Sequence, residues 1–274
     1  MTPVEIDTLA AMVPDGALVA LPPDNSLTPA ALAHALVRAG RRGLRLLGVP
    51  VSGYATDVLI GAGCVAALES SGVSLGEAGA APRFLAALRA GTLRLTEATC
   101  PAIHTMLQAA EKGVPFMPLR GLLGSDILAR RPDWRVIDNP FAAGGDPLVL
   151  LPALAPDFAL FHAAMADAAG SVYVGRRLEL AEMAHAARRS LVTVERMTEI
   201  DLLADERFAA GTISAAYVDA VAVAARGAWP LGLLDEYPPD EAHLADYARL
   251  ARTEEGFRTW LQRYGQRPAA QAAE

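Results

Sequence analysis

Compact apolar runs alternate with stretches whose apolar residues recur at three- to four-residue spacing, and the alternation persists along most of the chain. That rhythm predicts buried strands separated by helices. A short helix over 2–12 stops at Pro14-Asp15-Gly16, and the run Ala-Leu-Val-Ala-Leu at 17–21 reads as a strand. It ends at Pro22-Pro23, because proline has no N–H to give a ladder. Asp24-Asn25-Ser26 forms a loop. Thr28 then serves as N-cap with Pro29 at the first helical position, and the helix runs to Gly40. A second apolar strand follows at 44–48. Strand, helix and strand in that order make a βαβ unit, which implies parallel pairing and a right-handed crossover.

The remaining pattern predicts strands over 65–68, 93–96, 114–117, 148–151, 158–162 and 191–194, and helices over 82–90, 101–112, 178–187, 240–251 and 254–264. Gly113 stands just past 101–112, where a helix stop belongs. The Gly- and Pro-rich stretch 120–145 reads as an excursion from the alternation, with 134–137 as an edge strand. The expected fold class is α/β: an open, mostly parallel sheet with helices on both faces, forming one domain over 1–267. The Ala- and Gln-rich tail 268–274 is expected to fray.

Composition narrows the function classes. The chain has 274 residues, 53% hydrophobic and 20% charged, which is ample material for a core and excludes intrinsic disorder. The same apolar richness points to a partner covering part of the surface. Twenty-four Lys and Arg against 31 Asp and Glu leave a net charge of −7, so no nucleic-acid partner is expected. No run reaches the ~18 uninterrupted apolar residues of a spanning helix. With only Cys64 and Cys100 and no secretory leader, a cytoplasmic protein without membrane association is expected.

Few residues carry chemistry at a diagnostic spacing. The five histidines are isolated, and Glu182 with His185 gives one copy of a spacing that di-metal bundles need twice, so this reads as a surface pair. Without a CxxC pair either, no metal is expected. Gly61-Ala62-Gly63 lacks the third glycine of a dinucleotide fingerprint and precedes a strand. The loop Gly121-Leu122-Leu123-Gly124-Ser125-Asp126 could offer N–H groups to an anion, but a tight turn explains it as well. Cys100 lies at a helix N-terminus, where the dipole lowers a thiol pKa, with His104 one turn on. The pair reads as a Cys–His dyad or, preferably, Cys100 is a small space-filler before Pro101. Glu97 and Glu195 each end a strand, where crevices of parallel sheets open. Either carboxylate could act as nucleophile or base, cap a helix or enter an interface salt bridge. Asp24-Asn25-Ser26 follows the first strand and Ser52-Gly53 the second, so two loops converge on one candidate site.

Four segments carry a resemblance: Val114-Pro115-Phe116-Met117-Pro118-Leu119-Arg120-Gly121-Leu122-Leu123-Gly124-Ser125-Asp126, then Asn139-Pro140-Phe141, then Leu151-Pro152-Ala153-Leu154-Ala155-Pro156-Asp157, then Val192-Thr193-Val194-Glu195. In that order they resemble the A (alpha) subunit of family I coenzyme A transferases of the glutaconate CoA-transferase A type, over about 14–264. The resemblance implies an open α/β sheet and an assembly with a B (beta) subunit. The implied reaction moves CoA from an acyl-CoA to a carboxylic acid. A glutamate attacks the thioester to give an anhydride, and the thiolate returns to make a glutamyl-CoA thioester. That glutamate belongs to the B subunit, so neither Glu97 nor Glu195 is promoted to nucleophile, Glu97 staying only as a subsidiary catalytic candidate. The implied substrate is a coenzyme A thioester, with no permanently bound cofactor. The cleft shared with the partner would be lined by Asp24, Asn25, Ser26, Ser52, Gly53, Arg120, Gly124 and Ser125.

Two departures from the family pattern bear on activity. The loop after the first strand is usually Gly-rich and followed by basic residues, whereas here it reads Pro22-Pro23-Asp24-Asn25-Ser26-Leu27-Thr28-Pro29. Asp24 there would repel CoA phosphates or carboxylate substrates. Secondly, a branch resembling ring-opening hydrolases of steroid-derived CoA thioesters carries a second acid shortly after the position of Glu97, and Cys100 stands at that place. A hydrolase subunit of that type and a non-catalytic diverged homologue are the alternatives.

Overall fold

The computed structural model describes residues 1–265, so the expected tail at 268–274 lies outside the described residues. The first half of the chain runs α1 (Ile6–Met12), β1 (Leu18–Leu21), α2 (Ala30–Arg38), β2 (Leu44–Gly48), α3 (Tyr54–Gly61), β3 (Val65–Ser70), α4 (Pro82–Arg89) and β4 (Arg94–Glu97). Helix α5 (Cys100–Glu111) is followed by β5 (Phe116–Leu119), α6 (Asp126–Ala129), β6 (Arg135–Asp138) and β7 (Pro147–Pro152). The chain then continues through β8 (Phe158–Ala166), β9 (Val172–Tyr173), α7 (Leu178–Ala186), β10 (Ser190–Met197), β11 (Thr212–Ile213), β12 (Ala220–Val223), α8 (Glu241–Leu250) and α9 (Glu254–Trp260).

The fold is α/β, as expected. Seven strands pair in parallel in the order β12-β10-β8-β1-β2-β3-β4, and β9 and β11 add antiparallel to the end of β8, giving nine strands. Side chains alternate between the faces of this sheet. Val19, Leu21, Leu46 and Leu160 enter one core, with residues of α2, α3, α8 and α9. Ala20, Leu47, Phe161 and Val192 enter the other, with α5 and α7. Covering both faces is what makes the strands continuously apolar.

Local signals explain several helix ends. Thr99 caps α5 by accepting from Ala102 N–H (3.3 Å), and Gly113 follows that helix at φ +66°. Asp240 and Thr253 cap α8 and α9 in the same way, at 2.9 and 3.1 Å. Thr28 does not cap α2. Its hydroxyl donates to the Pro23 carbonyl at 2.9 Å, and Pro29 occupies the N-cap position.

Helix α3 has no counterpart among the expected elements. Every residue from Tyr54 to Ile60 is buried, so the helix shows no polar face for a periodicity to reveal. Tertiary contacts hold it: buried Asp57 accepts from Phe84 N–H (2.7 Å), Arg83 N–H (3.3 Å) and the Tyr247 hydroxyl (2.7 Å). The strands β5 and β7, expected at 114–117 and 148–151 as part of the alternation, and β6 from the excursion do not join the parallel sheet. They form a separate antiparallel sheet in the order β5-β7-β6, which leaves β6 as the expected edge.

Candidate active site

From β1 the chain builds the sheet outwards through β2, β3 and β4, then returns to β8 and builds the other way through β10 and β12. The order therefore reverses between β1 and β8. Crossover connections diverge at such a point and open a crevice beyond the strands' carboxyl ends. The segment at that place is the loop 22–29. Its Leu27 carbonyl accepts from His162 N–H of β8 at 2.8 Å, which ties the loop to both central strands.

Within the loop, Asp24 accepts from Tyr54 N–H with both carboxylate oxygens (3.0 and 2.9 Å), at the N-terminus of α3. The helix lacks any side-chain cap of its own, so Asp24 supplies one from the neighbouring loop. Gly53 makes this seat possible, because a Cβ there would lie 2.2–2.3 Å from the Asp24 carboxylate. Burial and the nearby Asp57 charge push the Asp24 carboxyl up to about 7, against the pull of the Tyr54 N–H. Charge in this loop is thereby spent on a helix end and partly neutralised, which answers the expected repulsion of anionic substrates.

Asn25 is exposed and stands between two clefts. One, of about 680 Å³, opens towards a wall from the segment 231–239, with Arg177 at its rim. The other, of about 710 Å³, lies over α5 and α7. Ser26 is buried and its hydroxyl donates to Glu179, which lines the second cleft. Ser52 lines neither. It is buried with its Oγ unpartnered among the described residues, and its backbone pairs with the segment 72–74.

The strand-end carboxylates are both engaged. Glu97 is exposed at the end of β4 and pairs with Arg130. Glu195 lies within β10, which extends past the expected end at 194, and its side chain is only 10% exposed. It accepts from His162 Nε2 (2.8 Å), the Tyr237 hydroxyl (2.7 Å), Arg226 N–H (2.6 Å) and Gly227 N–H (3.2 Å). Burial opposes its ionisation, but these donors outweigh it and hold the carboxyl below its ordinary value. Since Tyr237 lines the first cleft, Glu195 anchors that cleft's wall to the sheet.

Other expectations change. Arg120, Gly124 and Ser125 do not line the clefts around the β1 loop. Arg120 is neither buried nor free: it is exposed and meets both Asp146 oxygens. Gly124 sits at φ +78° in a turn closed by Ser125 N–H donating to the Leu122 carbonyl (3.1 Å), which matches the tight-turn reading. Cys100 is exposed beside Ser71 (3.1 Å), so it is no space-filler, and it forms no dyad with His104. His104 Nδ1 instead meets Glu182, a pairing across two helices that no sequence spacing could show. Glu182 is buried, and His185 meets Glu111 at 3.2 Å, so these two residues are not a simple surface pair.

A family model described as Coenzyme A transferase matches residues 4–224, which contain every strand of the parallel sheet. The chain belongs to the coenzyme A transferase family. It is 30% identical over 256 residues to the A component of the 3-oxoadipate CoA-transferase of Pseudomonas knackmussii, covering 92% of this chain and 89% of that one. It is 31% identical to a cholesterol ring-cleaving hydrolase IpdA subunit of Rhodococcus jostii, over 86% of this chain and 82% of that one. An uncharacterised protein of Archaeoglobus fulgidus is 32% identical over 84% of this chain, which spans only 51% of that protein's length. The crystal structure of glutaconate coenzyme A-transferase from Acidaminococcus fermentans superposes with a TM-score of 0.90 at 25% identity, covering 100% of this chain and 92% of that one. The match over 4–224 takes in β1, β8 and the loop 22–29 between β1 and α2. Among the described residues, no helix is long and apolar enough to cross a membrane.

Proposed function

We propose that this chain is the A half of a CoA-transferase and that a B partner supplies the nucleophilic glutamate. The partner carboxylate would attack an acyl-CoA carbonyl, breaking the C–S bond and giving an acyl-glutamyl anhydride plus CoA thiolate. The thiolate would then attack the glutamyl carbonyl, releasing the first carboxylate and leaving a glutamyl-CoA thioester for the acceptor acid. Coenzyme A thioester enters as substrate in this scheme and no resident cofactor takes part. The observation that carries the reading is the opening of two clefts at the switch-point loop while the strand-end carboxylates of this chain are already bonded. A carboxylate holding four hydrogen bonds, as Glu195 does, is a poor nucleophile. Asp24 and Asn25 border the first cleft, and its apolar wall, with Leu231, Leu233 and Pro238, suits the pantetheine arm. Leu234 (71% exposed) and Leu178 (76% exposed) stand at the rims of the two clefts, where a partner would cover them. The ring-opening alternative finds less support, because Cys100 brings no carboxylate to its place. The test is borohydride trapping after incubation with acyl-CoA. Reduction should label a glutamate of the copurifying partner and spare this chain, and a labelled glutamate in this chain, or acyl exchange by this chain alone, would overturn the assignment.

A further inference from the structure

The cleft over α5 and α7 contains a pair of side chains that exchange between carboxylates does not need. His104 lies in the second turn of α5 and Glu182 in the middle of α7, and the two helices pack together. Nδ1 of His104 is hydrogen-bonded to the Glu182 carboxylate. Glu182 is buried, while the His104 side chain is 31% exposed and lines the cleft. A buried carboxylate on Nδ1 fixes the ring orientation and its tautomer, so the neutral ring carries its lone pair on Nε2. That nitrogen has no hydrogen-bond partner among the described residues. A base held by an orienting acid, with its free nitrogen in a cleft, is the arrangement of general-base catalysis. The cleft is also joined to the switch point, since Pro23 and Asn25 form part of its wall and Ser26 is bonded to Glu179 of α7.

A carboxylate nucleophile loses no proton when it attacks, and a CoA thiolate needs none to return. Water does lose one. We propose that His104, positioned by Glu182, is a general base that lets water hydrolyse a CoA thioester seated in this cleft. The inference rests on the acyl-CoA reading above. Nε2 takes a proton from water as the water oxygen bonds to the thioester carbon. The C–S bond breaks, the imidazolium returns the proton to the departing thiolate, and the products are a free carboxylic acid and CoA thiol. Leu178 and Ala181 give the acyl chain an apolar rest on the α7 side.

The charged groups facing His104 are Glu179, Glu182 and His185 from α7 and Glu111 and Lys112 from the end of α5. The Glu182 hydrogen bond raises the His104 pKa above its ordinary value, with burial opposing it. The experiment uses this chain with its copurifying partner and butyryl-CoA, succinyl-CoA or glutaryl-CoA, with and without acetate as acceptor, reading free thiol for hydrolysis and acetyl-CoA formed for transfer. The expected result is thiol release without acceptor that falls about 100-fold in His104→Gln, while transfer to acetate stays within about threefold. Glu182→Gln should slow hydrolysis about tenfold and move the acidic limb of its pH profile downwards, and Glu182→Asp should restore both in part. Transfer without hydrolysis in the native assembly would overturn the inference and leave the transferase reading standing. Equal loss of both activities in His104→Gln would reduce the pair to a structural contact. An assembly that neither transfers nor hydrolyses any of the three thioesters would remove both readings.

Discussion

Replacing Glu195 with alanine removes one side chain but strands four donors. Arg226 N–H, Gly227 N–H, the Tyr237 hydroxyl and His162 Nε2 all converge on its carboxylate at 2.6–3.2 Å. Each buried donor left without a partner costs about 1–3 kcal/mol. Glu195 is slightly exposed, so water would recover part of the loss, and we expect a net destabilisation of about 4 kcal/mol. That is a large share of the ~5–15 kcal/mol that holds a domain folded. Glu195→Gln should cost less, about 2 kcal/mol, because one oxygen is kept while an amide NH2 is turned against a backbone N–H. The pH dependence has a definite sign. The carboxyl pKa lies below its ordinary value in the folded chain, so its stabilisation is complete above the ordinary carboxylate range and fades as pH falls through the folded-state value. Urea denaturation followed by tryptophan fluorescence, at neutral pH and at a pH of about 4, measures these differences, and limited thermolysin digestion locates the opening. Cuts in Glu195→Ala should concentrate in the segment 224–239, whose residues 231–239 form the wall of the first cleft. A loss below about 1 kcal/mol, or protection of that segment unchanged, would show that the carboxylate is not the anchor.

Three further outcomes are expected. Gly53→Ala places a Cβ 2.2–2.3 Å from the Asp24 carboxylate, so the acid must leave the end of α3; melting should show a cost of about 2 kcal/mol, and Asp24→Ala introduced on top should add little. Asp24, raised to about 7, favours the folded state below the ordinary carboxylate pKa, and that contribution is lost as pH rises through about 7. Asp24→Asn keeps an acceptor for Tyr54 N–H and cannot ionise, so it should gain about 1–2 kcal/mol over the native chain at a pH of about 8 and nothing at about 4, the exposure of this residue limiting the gain. Asp57→Ala unseats two N–H groups and the Tyr247 hydroxyl, and denaturation should reveal a loss of about 3 kcal/mol, whereas Asp57→Asn should lose less.

Legibility in the sequence followed the range of the interactions that decide each element. Strand β2 was readable to the residue, because a short apolar run, interrupted only by the exposed Arg45, lies between Gly43 and Gly48. Helices α5 and α8 were readable within a residue or two, because Thr99, Gly113 and Asp240 act within one turn of the ends they define. Helix α3 was not, because its cap comes from Asp24 and its centre is held by residues 26 to 190 positions away. Among the candidate site residues, Asp24 and Asn25 stand on the loop where the sheet order reverses and Gly53 packs against Asp24 from the loop after β2, since loops after strands are visible in sequence. Arg120, Gly124 and Ser125 were grouped with them through a family motif, and in this chain alone they line neither cleft beside loop 22–29. His104 and Glu182, separated by 78 positions, meet only because α5 and α7 pack on the same face of the sheet.

Loop 22–29 and the loop after β2 exchange roles between two strand ends. A glycine in loop 22–29 would let a ligand approach the backbone closely, and none is present. The second loop supplies one at Gly53, and the space freed by its missing Cβ is filled by the Asp24 carboxylate. The acid therefore takes the α3 N–H that an anionic ligand would otherwise have met, which removes one anion seat from the crevice. In the same step the acid loses much of its charge near neutral pH, because burial raises its pKa to about 7. The side of the loop left to a ligand is the amide of Asn25, which donates and accepts hydrogen bonds without carrying charge. In the proposed CoA-transferase, a crevice built this way would discriminate against a substrate that needs a second anionic contact at this point and would tolerate a neutral acyl chain. Restoring the seat with Asp24→Gly should then favour dicarboxylic over monocarboxylic acyl-CoA in the ratio of their kcat/KM values, and an unchanged ratio would show that the acid does not set substrate choice.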